Sequence, residues 1–351
     1  MKTMNDISKK KPFFPIIPEL RRYLKKQGRE KQLPISYDDL LGYRMGTPLL
    51  DKTGSDTLWE TAHYEPAREE KLNKSLTYIY VLLKNEGDFS SSEHLRVDRI
   101  DYCAFGNSNP FRIRIINKFN DNYDYFYVKK SDASRIYGLE MEHILSPNRI
   151  GYFVNQDTII EEHIAGIPGD QFIEKFMNLK QTNRVRLAKE FVKFNERCFV
   201  RLLGDMRAYN YVMDITPDFD DVQYRIRAID FDQQTYEGRR SMYLPQYFKE
   251  NNALVELGME LMNNQTVRQY QAEERSLIAR RLILSRYKVK DLIDCMTIDH
   301  ISTPEKVAQL GKELATHHED PDFEACENMG ELLKLNLKVV LKPHVRKLRN
   351  F

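Results

Sequence analysis

Cysteine is scarce and dispersed in this chain: Cys103, Cys198, Cys295 and Cys326 are the only four, and no two of them form a C-x-x-C pair. That usage excludes a disulfide scaffold or a zinc ribbon and fits a reducing compartment. Long apolar runs are missing too, since nothing approaches the ~18 consecutive apolar residues of a membrane span. The start, Met1-Lys2-Thr3-Met4-Asn5-Asp6 followed by Lys9-Lys10-Lys11, lacks the apolar centre of a secretion signal. A cytoplasmic protein with no membrane span is therefore expected. Charge of one sign is also lacking. A formal net charge of +2 with 30% charged residues argues neither for a nucleic-acid partner nor for a strongly acidic one. Tryptophan occurs once, at Trp59, and is read as an anchor in a packed surface. No internal repeat is visible.

What is present is enough for a large core: 351 residues, 41% of them hydrophobic. Residues 1–75 are polar and broken by Pro12, Pro15, Pro18, Pro34 and Pro48, and read as an extension that docks on the main body. Leu76 to Leu83 is one apolar run whose period does not decide between strand and helix. Three strands are then expected, Leu95–Ala104, Phe111–Phe119 and Tyr123–Lys130, rich in aromatic and β-branched residues and divided by Gly/Asn turns. Ser131-Asp132 caps a helix from Ser134 to Leu145, and a strand pair follows at 150–155 and 158–163. Asn183 to Phe199 has the spacing of an amphipathic helix, with Val185, Leu187, Ala188, Phe191, Val192 and Phe194 on its apolar side.

The chemistry concentrates just past that helix. Leu203-Gly204-Asp205-Met206-Arg207-Ala208-Tyr209-Asn210 is followed by a short apolar strand, a charged turn, a second apolar strand and Ile229-Asp230-Phe231-Asp232. A transferring phosphoryl group spreads its charge over oxygens, so its catalysis is mainly positioning and electrostatics by metal ions and one carboxylate facing the acceptor hydroxyl. Asp205 suits that carboxylate. Asn210 and Asp230 offer the hard oxygens that magnesium takes, with room left for phosphate and water, and Asp232 is an auxiliary ligand. Arg207 is placed to balance charge at the transferring phosphate.

These residues resemble the protein-kinase-like superfamily, which includes protein kinases, choline kinases and aminoglycoside phosphotransferases. Leu203-Gly204-Asp205 stands where that family has His-Arg-Asp or His-Gly-Asp, Asn210 follows at the family's interval, and Ile229-Asp230-Phe231-Asp232 is similar to the metal-binding strand end of its small-molecule branch. The resemblance covers about residues 95–290 and departs from the family at Leu203, where a His normally buttresses the loop. No Ala-Pro-Glu element follows Asp232, which points away from a regulated protein kinase.

The resemblance implies an α+β chain with a bilobal kinase-like fold: an N-terminal extension (1–75), a β-rich N-lobe (76–165) and a helical C-lobe (166–351). It implies ATP and Mg2+ as cofactors and a protein or small-molecule hydroxyl as acceptor. Lys129, with Lys130 as the alternative, would reach the phosphates and be held by Glu140, with Glu142 as the alternative. Gly106-Asn107-Ser108 would cover the phosphates, and the backbone around Glu162, His163 and Ile164 would face adenine. Two other readings keep the fold: a catalytically silent nucleotide-binding scaffold, and transfer of the adenylyl group. His317-His318-Glu319-Asp320 contains metal-type residues, but neighbours in sequence rarely converge on one ion, so a solvated loop is expected there.

Overall fold

In the computed structural model, residues 11–51, 53–84, 89–105, 108–218 and 221–349 are described. The chain is α+β and divides into two compact units, both discontinuous: residues 1–133 with 150–163, and residues 134–149 with 164–351. Residues 134–149 thus belong with the helical unit, although strands of the other unit flank them in sequence.

The first unit is built on a seven-stranded antiparallel sheet. Its elements are α1 (Pro18–Lys26), α2 (Tyr37–Leu41), β1 (Met45–Leu50), β2 (Asp56–His63), α3 (Pro66–Lys84), β3 (Leu95–Tyr102), β4 (Phe111–Asn117) and β5 (Tyr123–Lys130). Beyond α4 (Ala133–Leu145) come β6 (Tyr152–Asn155) and β7 (Thr158–Glu162), and the strand order is β1-β2-β3-β4-β5-β7-β6. Residues 45–63 are therefore part of the sheet and supply two of its strands. The apolar run at 76–83 is the second half of α3. Leu72, Leu76 and Ile79 recur at helical spacing and pack against Ile100, Phe111, Ile113, Ile115, Phe126, Val128 and Ile160 of the sheet. Alternation then places Tyr123, Tyr125, Tyr127 and Lys129 on the opposite face of β5 from Phe126 and Val128.

The second unit joins α4 to β8 (Ile167–Pro168), α5 (Gly169–Lys175), α6 (Arg184–Arg201), β9 (Tyr211–Asp218) and β10 (Asp221–Ala228). It continues with α7 (Asn252–Leu261), α8 (Asn264–Leu284), α9 (Arg286–Met296), α10 (Pro304–His318) and α11 (Met329–Arg349). The β strands form a three-stranded sheet in the order β10-β9-β8. Helix α6 is central and packs against α7, α8 and α11. The Asn183 side chain caps it by accepting from the Arg186 amide at 3.1 Å. Val185, expected on the apolar face, is exposed, whereas every residue from Asn195 to Arg201 is buried. The charged members of that run are tolerated because each has a partner. Arg197 meets Glu190 at 2.6 Å and Glu274 at 3.6 Å, Glu196 meets Arg275 at 2.6 Å, and Arg201 meets Glu142.

His317 and His318 are not in a solvated loop but in the last turn of α10. Both rings pack on Phe199, and His318 stacks on Phe323 at 5.1 Å while its Nε2 lies 2.9 Å from Asn336 Oδ1. Among the described residues, no helix is long and apolar enough to cross a membrane.

Candidate active site

Helix α6 ends where Leu202 adopts a left-handed conformation, φ 51°. The chain then runs antiparallel to the segment after Asp232. The Gly204 amide donates to Gln233 O at 3.1 Å, the Thr235 amide to Leu202 O at 2.9 Å, and Leu203 and Gln234 form an isolated bridge. Gln234 Nε2 adds a bond to Arg201 O at 2.6 Å. This backbone pairing buttresses the loop, and Leu203 itself is buried. Glycine suits position 204 because a Cβ there would lie 3.0 Å from Gln233 O.

Asp205 is also left-handed, φ 57°, a conformation that Asp adopts more readily than most residues. Its amide donates to Met242 O at 2.9 Å and its carbonyl accepts from the Arg207 amide at 2.8 Å, which pins the turn. The carboxylate accepts from Arg207 Nε at 2.9 Å, and Arg207 Nη1 reaches Glu250 Oε1 at 3.0 Å. The Arg207 charge is thus shared between two carboxylates, with the guanidinium over the Phe248 ring at 4.9 Å. Burial pushes the Asp205 carboxyl above the usual carboxylate range, and Arg207 offsets this only in part.

A single 3-10 turn, Ala208–Asn210, brings Asn210 back to the loop. Its Nδ2 donates to Asp205 O at 2.7 Å, with Asp205 Oδ2 at 3.4 Å. The amide nitrogen is committed to the loop, which leaves the amide oxygen as the group able to face a cation. Asn210 opens the β9–β10 hairpin, and its carbonyl accepts from the Ile229 amide at 3.0 Å where the hairpin returns. Asp230 follows directly. Asp205, Asn210 and Asp230 are therefore tied into one constellation by backbone bonds. The exposed Tyr209 phenol registers it: burial raises its pKa, Arg207 lowers it, and Asp205, Glu250 and Asp230 add to the rise.

Asp230 and Asp232 share a cation supplied by the chain. Arg135 Nη1 lies 3.0 Å from Asp230 Oδ1 and 2.7 Å from Asp232 Oδ1, and the Asp232 amide also donates to Asp230 Oδ1 at 3.1 Å. Arg135 and Ser134, both in the first turn of α4, were not legible as site residues in the sequence. Ser134 Oγ donates to Gln234 O at 2.8 Å and lies 3.1 Å from Asp232 O. Asp230 and Asp232 offer carboxylate oxygens and Asn210 an amide oxygen, the hard donors that a magnesium ion takes. Among the described residues, no three His, Cys, Asp or Glu side chains converge by themselves on a metal position.

On α4, Glu140 and Glu142 are both buried. Glu142 pairs with Arg201 and accepts from Ser146 Oγ and from Asn148 Nδ2 at 2.8 Å. Burial works to raise its pKa, but Arg201 and these hydrogen bonds outweigh it and hold the carboxyl below its ordinary value.

In the first unit, Lys129 is buried and Lys130 is exposed. Lys129 Nζ donates to Glu161 Oε2 at 2.9 Å. Glu161 follows from alternation, since it shares the Lys129 face one strand over and opposes Tyr127 in the register. Ser108 is buried, while Gly106 and Asn107, and with them Lys9 and Lys10 of the lysine triplet, lie outside the described residues. The Glu162 amide donates to Gly151 O at 2.9 Å and the His163 amide to Tyr125 O at 3.3 Å, so these two donors are committed to the protein. His163 Nδ1 lies 3.2 Å from the Tyr127 hydroxyl. Ile164 is buried and belongs to the second unit.

No protein-family model matches the sequence, and no curated protein matches it either.

Proposed function

We propose that the chain is a phosphotransferase that uses ATP and Mg2+ to move the γ-phosphoryl group onto a hydroxyl of a protein or small molecule, and that its two units form a bilobal kinase-like fold. The observation that carries this reading is the pairing of 202–204 with 233–235, together with the Asn210–Ile229 bond. These bonds tie the loop that carries Asp205 and Asn210 to the one that carries Asp230 and Asp232.

In this reading Asp205 orients the acceptor hydroxyl and takes its proton, a task favoured by a carboxyl whose pKa burial has raised. Arg207 keeps Asp205 in place and tempers its charge. Asn210 holds its oxygen towards the cation while its nitrogen fixes the loop, and Asp230 and Asp232 complete the protein's share of the ligands. Lys129, paired with Glu161, serves the phosphates. A bound magnesium ion would neutralise the charge on the transferring group.

A second reading, a nucleotide-binding protein without turnover, is favoured by one observation: the Arg135 guanidinium on the Asp230–Asp232 pair. Incubation with γ-labelled and α-labelled ATP separates the possibilities. Release of ADP, or γ label on an acceptor, is expected. Label from the α position on an acceptor would mean adenylyl transfer, and bound ATP with neither product would mean the silent protein.

A further inference from the structure

We propose that the outward face of α11 docks the protein on an anionic lipid surface, through a row of cations at Lys334, Lys338, Lys342 and Arg346.

The row follows from the helix period. Leu332, Leu333, Leu337, Val340 and Leu341 are buried and fix which side of α11 faces the core. Residues four apart on the other side stand one above the next, so Lys334, Lys338, Lys342 and Arg346 form a single stripe about 18 Å long. All four are exposed, and so is Lys347. From residue 333 to residue 348 the only other exposed position of the helix is Pro343. No acidic residue follows Glu331 in the helix, and among the described residues none of the five cations has an ion pair or a side-chain hydrogen bond. Helix α10, by contrast, exposes both signs, with Glu305 and Lys312. The segregation on α11 therefore stands out in a chain whose 54 basic and 52 acidic residues nearly balance.

Stability does not account for the stripe. Like charges at i and i+4 repel on a helix, and three such pairs follow one another here. Cations complement the helix dipole only in the last turn, whereas Lys334 and Lys338 lie well before Arg349, where α11 ends. Clusters of Lys and Arg on an amphipathic helix attract anionic headgroups, and heads set in a straight line meet a flat surface together. The apolar side of α11 is taken up by the core, so the helix would rest on the headgroups without entering the acyl layer. A single-stranded nucleic acid would call for aromatic rings beside the cations on which bases stack, and a duplex for polar side chains that read base edges. Between residues 333 and 348 α11 exposes no aromatic, Asn or Gln side chain.

The test is sedimentation of the full-length protein with vesicles of phosphatidylcholine alone and with vesicles in which about a third of the lipid is phosphatidylserine. Each is run at about 0.1 M and about 1 M salt, between which the Debye length falls from ~10 Å to ~3 Å. Wild type is expected to pellet only with the phosphatidylserine vesicles and only at the lower salt. Each neutralised cation is worth about fivefold in partition, so Lys338→Gln combined with Lys342→Gln should weaken attachment about 25-fold. The same two positions changed to Arg should hold wild-type binding. Lys175→Gln combined with Lys180→Gln, which removes two exposed cations outside α11, should leave it unchanged. An equal loss in that control, no loss in the α11 variant, attachment to phosphatidylcholine alone, or no attachment at all would overturn the proposal. So would capture by a single-stranded oligonucleotide that is tighter than capture by the vesicles.

Discussion

Replacing Arg201 by Met should reveal how the loop around Asp205 is kept rigid. Arg201 is the last residue of α6, its side chain and that of Glu142 are each 2% exposed, and its carbonyl receives Gln234 Nε2 at 2.6 Å. Removing one member of a buried pair strands the other charge, which costs about 3–5 kcal/mol. Arg201→Met is thus expected to lose about that much, read as a lower denaturant midpoint at unchanged slope. Glu142→Gln should lose a comparable amount. The double variant should fall short of the sum of the two by about 2 kcal/mol, because the remaining amide still accepts from Ser146 and Asn148 and no charge is stranded. The pH dependence supplies a second check. In the wild type the Glu142 pKa is held below its ordinary 4.5, so its contribution to stability is complete above that pH and is lost as the pH falls. Without Arg201 the folded-state pKa rises above 4.5, the folded protein takes up a proton first, and the penalty of Arg201→Met should shrink between pH 7 and 5. Additive single losses, or a penalty that grows as the solution is acidified, would refute the reasoning.

Asp205→Ala should abolish turnover while leaving ATP affinity within a few-fold, measured by product release and by calorimetry; equal loss of both would reassign the residue. Gly138→Ala should destabilise by about 1–2 kcal/mol even though Ala is the better helix former, because the new Cβ would lie 2.9 Å from Phe231 Cβ and 3.2 Å from Gln234 Cβ. Thermal unfolding of the variant would decide it. The His317 pKa is lowered from 6.5 to about 4 by burial first, then by Arg240, His318 and Arg275. The neutral ring is the form that the fold favours, so its contribution is complete above pH 6.5 and should be lost as the pH drops towards 4; the residue is exposed, so solvent screens the effect and the slope stays well below one proton. His317→Gln should flatten a plot of stability against pH in that window.

Much of this architecture could be read from residue patterns because local chemistry enforces it. The three strands from Leu95 to Lys130 are rich in aromatic and β-branched residues and divided by turns, and β3, β4 and β5 begin where expected, at Leu95, Phe111 and Tyr123. The two loops that carry Asp205, Asn210 and Asp230 were legible because spaced polar residues stand between apolar strands. Three things were not. The run at 76–83 is apolar on consecutive positions, and only its continuation back to Pro66, with Leu72 and Leu76 a turn apart, makes it a helix. Residues 45–63 become β1 and β2 through pairing to β3 across a gap in sequence, which no local pattern records. Glu196, Arg197 and Arg201 are buried because partners reach them from distant elements, which no local pattern records.

Helix α4 does more than offer an acidic side chain. Ser134, Arg135, Gly138 and Glu142 fall at positions i, i+1, i+4 and i+8, which is one stripe of an α-helix. Ser134 and Arg135 hold the Asp230–Gln234 segment, Gly138 lets the helix approach Phe231, and Glu142 holds the end of α6 that leads into Asp205. Both acidic loops are therefore referenced to the same rigid stripe. A displacement of α4 by even a fraction of an ångström would move Asp205 and Asp230 through the same element, and misplacement of about an ångström can cost a hundredfold in rate. Substitutions at Arg135 and Glu142, two turns apart, should on this argument be additive in stability yet non-additive in turnover.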